Sequence, residues 1–106
     1  MDSRDVQICN EIGQLLYSAA PDEAKIIVMQ ADLSDEDDRA QFAFDFVDGI
    51  GNESWFTGGA NVNRQLLKLV VEHRRFFVAK NQPRWKRCKF TVDVEAGKYS
   101  LELKYE

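Results

Sequence analysis

Between residues 88 and 105 apolar and polar side chains alternate twice, across a single turn. Cys88, Phe90, Val92 and Val94 are separated by Lys89, Thr91 and Asp93; after Ala96-Gly97 come Tyr99, Leu101, Leu103 and Tyr105. Alternation with a period of two is the mark of a half-buried strand, so the segment predicts a hairpin with one apolar face. An even-length loop keeps both apolar sets together, pairing Val94 with Tyr99, Val92 with Leu101 and Phe90 with Leu103. The same register sets Lys89 beside Lys104, a mild repulsion. A slip of one residue would expose half of the apolar set, which fixes the faces firmly. Such a face needs a cover, and the rest of the chain has to supply it.

Residues 3–19 supply one candidate. Val6, Cys9, Ile12, Leu16 and Ala19, with Ile8 and Leu15 alongside, recur at the spacing of a helix face, and Ser3 can cap it. Gly13 weakens this helix, and a tight packing contact is the expected reason for it. Pro21-Asp22-Glu23 ends it. Residues 25–33 read as a strand rich in β-branched residues, with Ile26 and Val28 opposite Ile27, Met29, Ala31 and Leu33; that pattern suits an inner strand covered on part of both faces. Residues 40–48 alternate clearly, with Phe42, Phe44 and Phe46 on one face. Gly49, Gly51, Gly58 and Gly59 punctuate a loop that leaves room for a short strand over 54–57. A second helix is expected over 62–81, burying Val62, Leu66, Leu69, Val70, His73 and Phe77, capped by Asn61 or Asn63 and stopped by Pro83. The fold expected is α+β: a two-layer domain of order α-β-β-(β)-α-β-β, an antiparallel sheet of four to five strands covered by two helices.

At 106 residues the chain fits one domain, spanning 1–106, with enough buried surface to need no metal or disulfide. Its 44% hydrophobic content excludes disorder. No uninterrupted apolar run is longer than four residues, as in Ile26-Ile27-Val28-Met29, far short of a membrane span. The sequence shows no export signal, and its cysteines suit a reducing cytoplasm, so a soluble cytoplasmic domain is expected.

Charge is strongly polarised along the chain. The net formal charge is −4, yet residues 1–60 carry 13 acidic and 3 basic side chains, a balance of −10, and residues 61–106 carry 5 acidic and 11 basic ones, a balance of +6. Such asymmetry bears on partners and association rates: the front half attracts a basic surface, the back half phosphate.

The element order resembles the YezG-like immunity proteins, antitoxins of secreted polymorphic toxins. The residues that carry the likeness are Ile8, Ile12 and Leu15-Leu16 on the opening helix, Pro21 before an Ile-rich strand, and Phe42, Phe44 and Phe46. They continue with Trp85, Phe90 and Val92, then Gly97-Lys98-Tyr99 running into Leu101-Glu102-Leu103-Lys104-Tyr105. The chain departs from the family's pattern at Arg84, Lys86, Arg87 and Lys89, basic where members are acidic. The resemblance implies a non-catalytic protein that binds one cognate toxin domain, often a nuclease, in the cytoplasm of the cell that makes both. The family has no fixed binding residues to carry over.

Physics must then nominate the contact. Asp32, Asp35, Glu36, Asp37 and Asp38 are either a solvated hairpin tip or a decoy for the Lys- and Arg-lined groove with which a nuclease holds phosphates. A calcium loop fails on spacing: with Asp35 first, Ala40 stands where a turn glycine belongs and Phe46 where a bidentate Glu belongs. Asp45, Asp48 and Glu53 extend the acidic patch if they emerge on the same edge. Trp55 and Phe56 are either core residues or interface anchors. Trp85 either covers a sheet edge or is partly exposed. Arg84, Lys86, Arg87 and Lys89, with Arg74 and Arg75 upstream, offer an alternative: a small nucleic-acid-binding or regulatory module with interleaved aromatics. The net charge and the lack of a recognition motif argue against it.

Enzyme chemistry finds no constellation. His73, the single histidine, falls on a buried helix stripe; Cys9 and Cys88 fall on apolar faces and lack a partner at metal-ligand spacing. Gly97-Lys98 lacks the rest of a phosphate loop, and Gly58-Gly59 at the second helix is a weak anion site. The expectation is a protein with no catalytic residue, cofactor or metal, which contacts a basic toxin domain one-to-one and touches neither membrane nor nucleic acid.

Overall fold

Side-chain alternation divides one sheet into a covered face and an open face. The computed structural model describes residues 4–36, 38–57, 59–82 and 84–105. The elements are α1 (Arg4–Ala19), β1 (Ala24–Leu33), β2 (Ala40–Asp48), β3 (Glu53–Phe56), α2 (Gly59–Ala79), β4 (Arg87–Asp93) and β5 (Lys98–Lys104). All five strands form one antiparallel sheet in the order β3-β2-β1-β4-β5. The α+β two-layer expectation holds, and the doubtful third strand forms.

The covered face carries Ile27, Met29, Ala31 and Leu33 of β1, Phe44 and Phe46 of β2, and Cys88 and Phe90 of β4. These join Ile8, Ile12 and Leu16 of α1 and Leu66, Leu69 and Val70 of α2 in one core, so both helices lie on this side. Val6, expected in the α1 stripe, is exposed, and Ile8 takes the central place. The opposite face has no helix. Ile26 and Val28, expected under partial cover there, are only half-buried. Their neighbours by register are Val47, Asp45, Asp93 and Thr91.

The C-terminal hairpin differs from expectation by two residues. Val92 pairs with Tyr99, Phe90 with Leu101 and Cys88 with Leu103. The turn closes one residue earlier than expected, over residues 94–97, and the Val94 amide donates to the Lys25 carbonyl of β1 at 2.9 Å. Asp93 closes the turn by accepting from the Ala96 amide at 3.0 Å, and Gly97 takes the left-handed φ of 65° that the turn needs. An even shift preserves the faces. It also replaces the expected Lys89–Lys104 clash by Lys89 opposite Glu102 and Asp93 opposite Lys98, leaving Arg87 opposite Lys104.

Helix ends follow local rules where they are described. α2 starts at Gly59, so Asn61 and Asn63 fall inside the helix and do not cap it. It stops because Asn81 turns left-handed at φ 65°, with Gln82 N bonding Phe77 O at 2.9 Å and Asn81 N bonding Val78 O at 3.0 Å. That pair is a Schellman motif. Ser3 and Pro83, expected to bound the helices, lie outside the described residues, as do Asp37 and Gly58.

Gly13 proves less constrained than the sequence suggested. A Cβ built there would sit 3.9 Å from Phe90 Cε1, an ordinary contact. Alanine therefore fits and removes the backbone entropy cost of glycine in a helix. We expect Gly13→Ala to raise stability by about 0.5–1 kcal/mol, read as a thermal midpoint about 3–6 °C higher. A lower midpoint would mean that α1 and β4 approach more closely than described.

A buried polar knot joins α2 to the sheet. Arg74 is 1% exposed, on the stripe set by Leu66 and Val70. Its guanidinium donates to the Trp85 carbonyl at 3.2 Å and to the Ser34 carbonyl, and its Cζ lies 5.9 Å from the Trp85 ring centroid. Trp85, 1% exposed, donates from Nε1 to His73 Nδ1 at 3.3 Å. That bond leaves the ring proton of a neutral His73 on Nε2. Trp85 thus neither covers an edge nor meets solvent. It is core.

Candidate protein-binding surface

The site residues expected from sequence do not form one patch. β1 ends at Leu33, paired with Ala40, so Asp35, Glu36 and Asp38 lie at one end of the β1–β2 hairpin. Asp48 and Glu53 lie at the other end of β2. Eight residue steps along a strand span about 27 Å, so the two acidic groups are separate surfaces.

At the first end, the tip is an ordered turn built around Ser34. Its amide donates to the Arg39 carbonyl at 2.9 Å, and its hydroxyl donates to Asp38 Oδ1 at 2.8 Å. The Asp38 and Arg39 amides both donate back to Ser34 Oγ at 3.3 Å. Arg39 also approaches Asp38, at 3.8 Å. Asp35 and Glu36 are exposed. Asp37 lies outside the described residues. Asp32 sits below the tip on the open face, 3.3 Å from Arg87 across the β1–β4 pair.

At the second end, the sequence expectations separate. Asp48 is a turn residue: its Oδ1 accepts from the Ile50 amide at 3.0 Å and the Asn52 amide at 2.9 Å, and its carbonyl from the Gly51 amide. Phe56 belongs to the covered face, its ring centroid 5.4 Å from that of Phe44 and 6.0 Å from that of Phe46. Asp45, Glu53 and Trp55 share the open face. Trp55 stands directly opposite Asp45, and Glu53 opposite Val47. The Trp55 side chain is 75% exposed, and Ile50 in the adjoining turn is 84% exposed.

Charge divides the open face laterally, as it divides the chain. From residue 40 to residue 63 there is no Lys, Arg or His, so the β2–β3 side presents only carboxylates. The β4–β5 side presents Arg87, Lys89, Lys98 and Lys104, tempered by Asp93 and Glu102. A shallow groove of about 380 Å³ runs over the middle, lined by Gln30, Asp32, Gln41, Arg87, Lys89 and Lys104. Arg84, Lys86 and Arg75 are exposed too, whereas Arg74, grouped with them in the sequence, points into the core.

Neither thiol is placed for chemistry. Cys9 and Cys88 are both buried, and burial pushes the Cys88 thiol up from 9.0 to about 12. Maleimide at pH 8 should therefore label the native protein at least about 100-fold more slowly than the denatured protein, since the thiolate is the nucleophile. Because the folded thiol stays protonated while the unfolded one ionises near 9.0, stability should fall as pH rises from 9 towards 12. Fast native labelling would contradict this burial. Among the described residues no three His, Cys, Asp or Glu side chains are grouped to hold a metal ion. Among them, too, no helix is long and apolar enough to cross a membrane.

Compared with known proteins, the chain matches no family model and no curated sequence.

Proposed function

We propose that this protein is a non-catalytic binding protein of the YezG-like immunity kind. In this reading it captures one cognate toxin domain, a basic nuclease, in the cytoplasm of the cell that makes both. The observation that carries the reading is the lateral segregation of charge on an open sheet face: carboxylates and an exposed tryptophan on one side, with no cation in the intervening sequence. A nuclease must line its groove with Lys and Arg to hold phosphates, so such a surface is complementary to it. The element order and the residues quoted above for the family add support.

Co-expression with a toxin domain encoded beside its gene is the test. The expected result is a one-to-one complex and cell survival. No complex and no protection would end the reading. The nucleic-acid alternative draws support from Arg87, Lys89 and Lys104 meeting on one groove. Asp32, 3.3 Å from Arg87, offsets part of that charge. A mobility shift with a steep salt slope would favour that alternative.

A further inference from the structure

We propose that the partner docks on the helix-free face of β2 and β3, centred on Trp55, and that it presents a cationic side chain, arginine or lysine, laid over the indole. This rests on the protein-binding reading above and assigns its contact. The chain's other tryptophan fills the core, whereas Trp55 is 75% exposed on an edge strand. The register gives it an apolar floor and an acidic rim. Beside it run Asp45 of β2 and Val28 of β1; one row down run Glu53, Val47 and Ile26. The three aliphatic residues are half-buried, and Ile50 stands exposed in the turn at this end. Lys25 of β1 lays its stem beside Gly49 at this end, 3.7 Å from a Cβ built there, and its ammonium stands 3.6 Å from Glu95.

Large aromatics ringed by polar groups are where binding energy concentrates. The charge of the rim decides the partner's chemistry. An arginine over the indole gains a cation–π contact, and its fork can reach the Asp45 or Glu53 carboxylate. A neutral or acidic segment would leave those carboxylates desolvated and unpaired. The tip acids play a different part. Asp35 and Glu36 lie well away along the hairpin, exposed and screened, so they steer association and hold little of the bound state.

Kinetics separate these roles. The toxin domain encoded beside the gene is immobilised, and the full-length protein is passed over it at two salt concentrations. Trp55→Ala should weaken binding by about 30-fold or more, mainly through faster dissociation, with Trp55→Phe intermediate. Glu53→Lys should weaken it as well, and it keeps the test valid should the alanine variant fail to fold. Asp35→Asn with Glu36→Gln should slow association at low salt and leave dissociation unchanged. Binding at full strength by Trp55→Ala and Glu53→Lys would overturn the docking surface and leave the immunity reading standing. No complex with the unaltered protein would overturn both. Sedimentation of the protein alone supplies the remaining outcome: a dimer abolished by Trp55→Ala would make this face a self-interface, which also overturns the proposal.

Discussion

Replacing Arg74 with alanine should cost about 2–5 kcal/mol of stability, because a buried carbonyl and a half-buried one lose their donor at once. The guanidinium donates to the Trp85 and Ser34 carbonyls, so it ties α2 to the segment before β4 and to the β1–β2 turn. A domain of ordinary stability has about 5–15 kcal/mol to lose, so the variant would stand near the threshold of folding. Arg74→Lys keeps the charge but not the planar fork, and a lysine cannot address two carbonyls in different directions with the same geometry. It should recover less than half of the loss. Urea unfolding at neutral pH reads both. A loss under about 1 kcal/mol for the alanine variant would show that water replaces the guanidinium, contrary to the burial described.

Trp85→Ala should cost about 3–5 kcal/mol, the range for emptying a large aromatic site in a core. Trp55→Ala should change stability by no more than about 0.5 kcal/mol, since the indole is mostly in water. The contrast is the point of the pair. One tryptophan holds the fold, and the other is available to a partner. Arg74 and Trp85 touch, so the double variant should lose less than the sum of the single losses, by about 0.5–3 kcal/mol. Additive losses would mean that the cation over the indole and the bond to the Trp85 carbonyl contribute nothing jointly.

The two tryptophans also mark where sequence reasoning stops. Trp85 stands between Arg84 and Lys86 and Trp55 between Ser54 and Phe56, and neither's local pattern says what lies above it. Trp85 is buried because His73 and Arg74, more than ten positions earlier, close over it. Trp55 is exposed because β3 pairs with β2 in the register that turns Phe56 inward. The strands themselves were legible, down to the ends of β2, because Phe42, Phe44 and Phe46 alternate without interruption. The hairpin register was not, since the turn closes one residue earlier than one centred on Ala96-Gly97, with Asp93 accepting from the Ala96 amide and Gly97 left-handed at its end.

Arg74 was within reach. It follows Leu66 and Val70 at steps of four, on the buried stripe, and a charged residue at such a place signals a buried hydrogen-bonded group. Reading it with its sequence neighbours as a basic cluster missed that. The acidic patch failed for a geometric reason. Asp35 and Asp48 are close in sequence, but a nine-residue strand separates the ends on which they lie.

Titration of toxin activity tests the central claim most directly. With the toxin domain of the proposed pair at fixed concentration and a nucleic-acid substrate present, increasing amounts of this protein should extinguish cleavage linearly, reaching zero at one equivalent. Cleavage that continues unchanged at a tenfold excess would contradict the account.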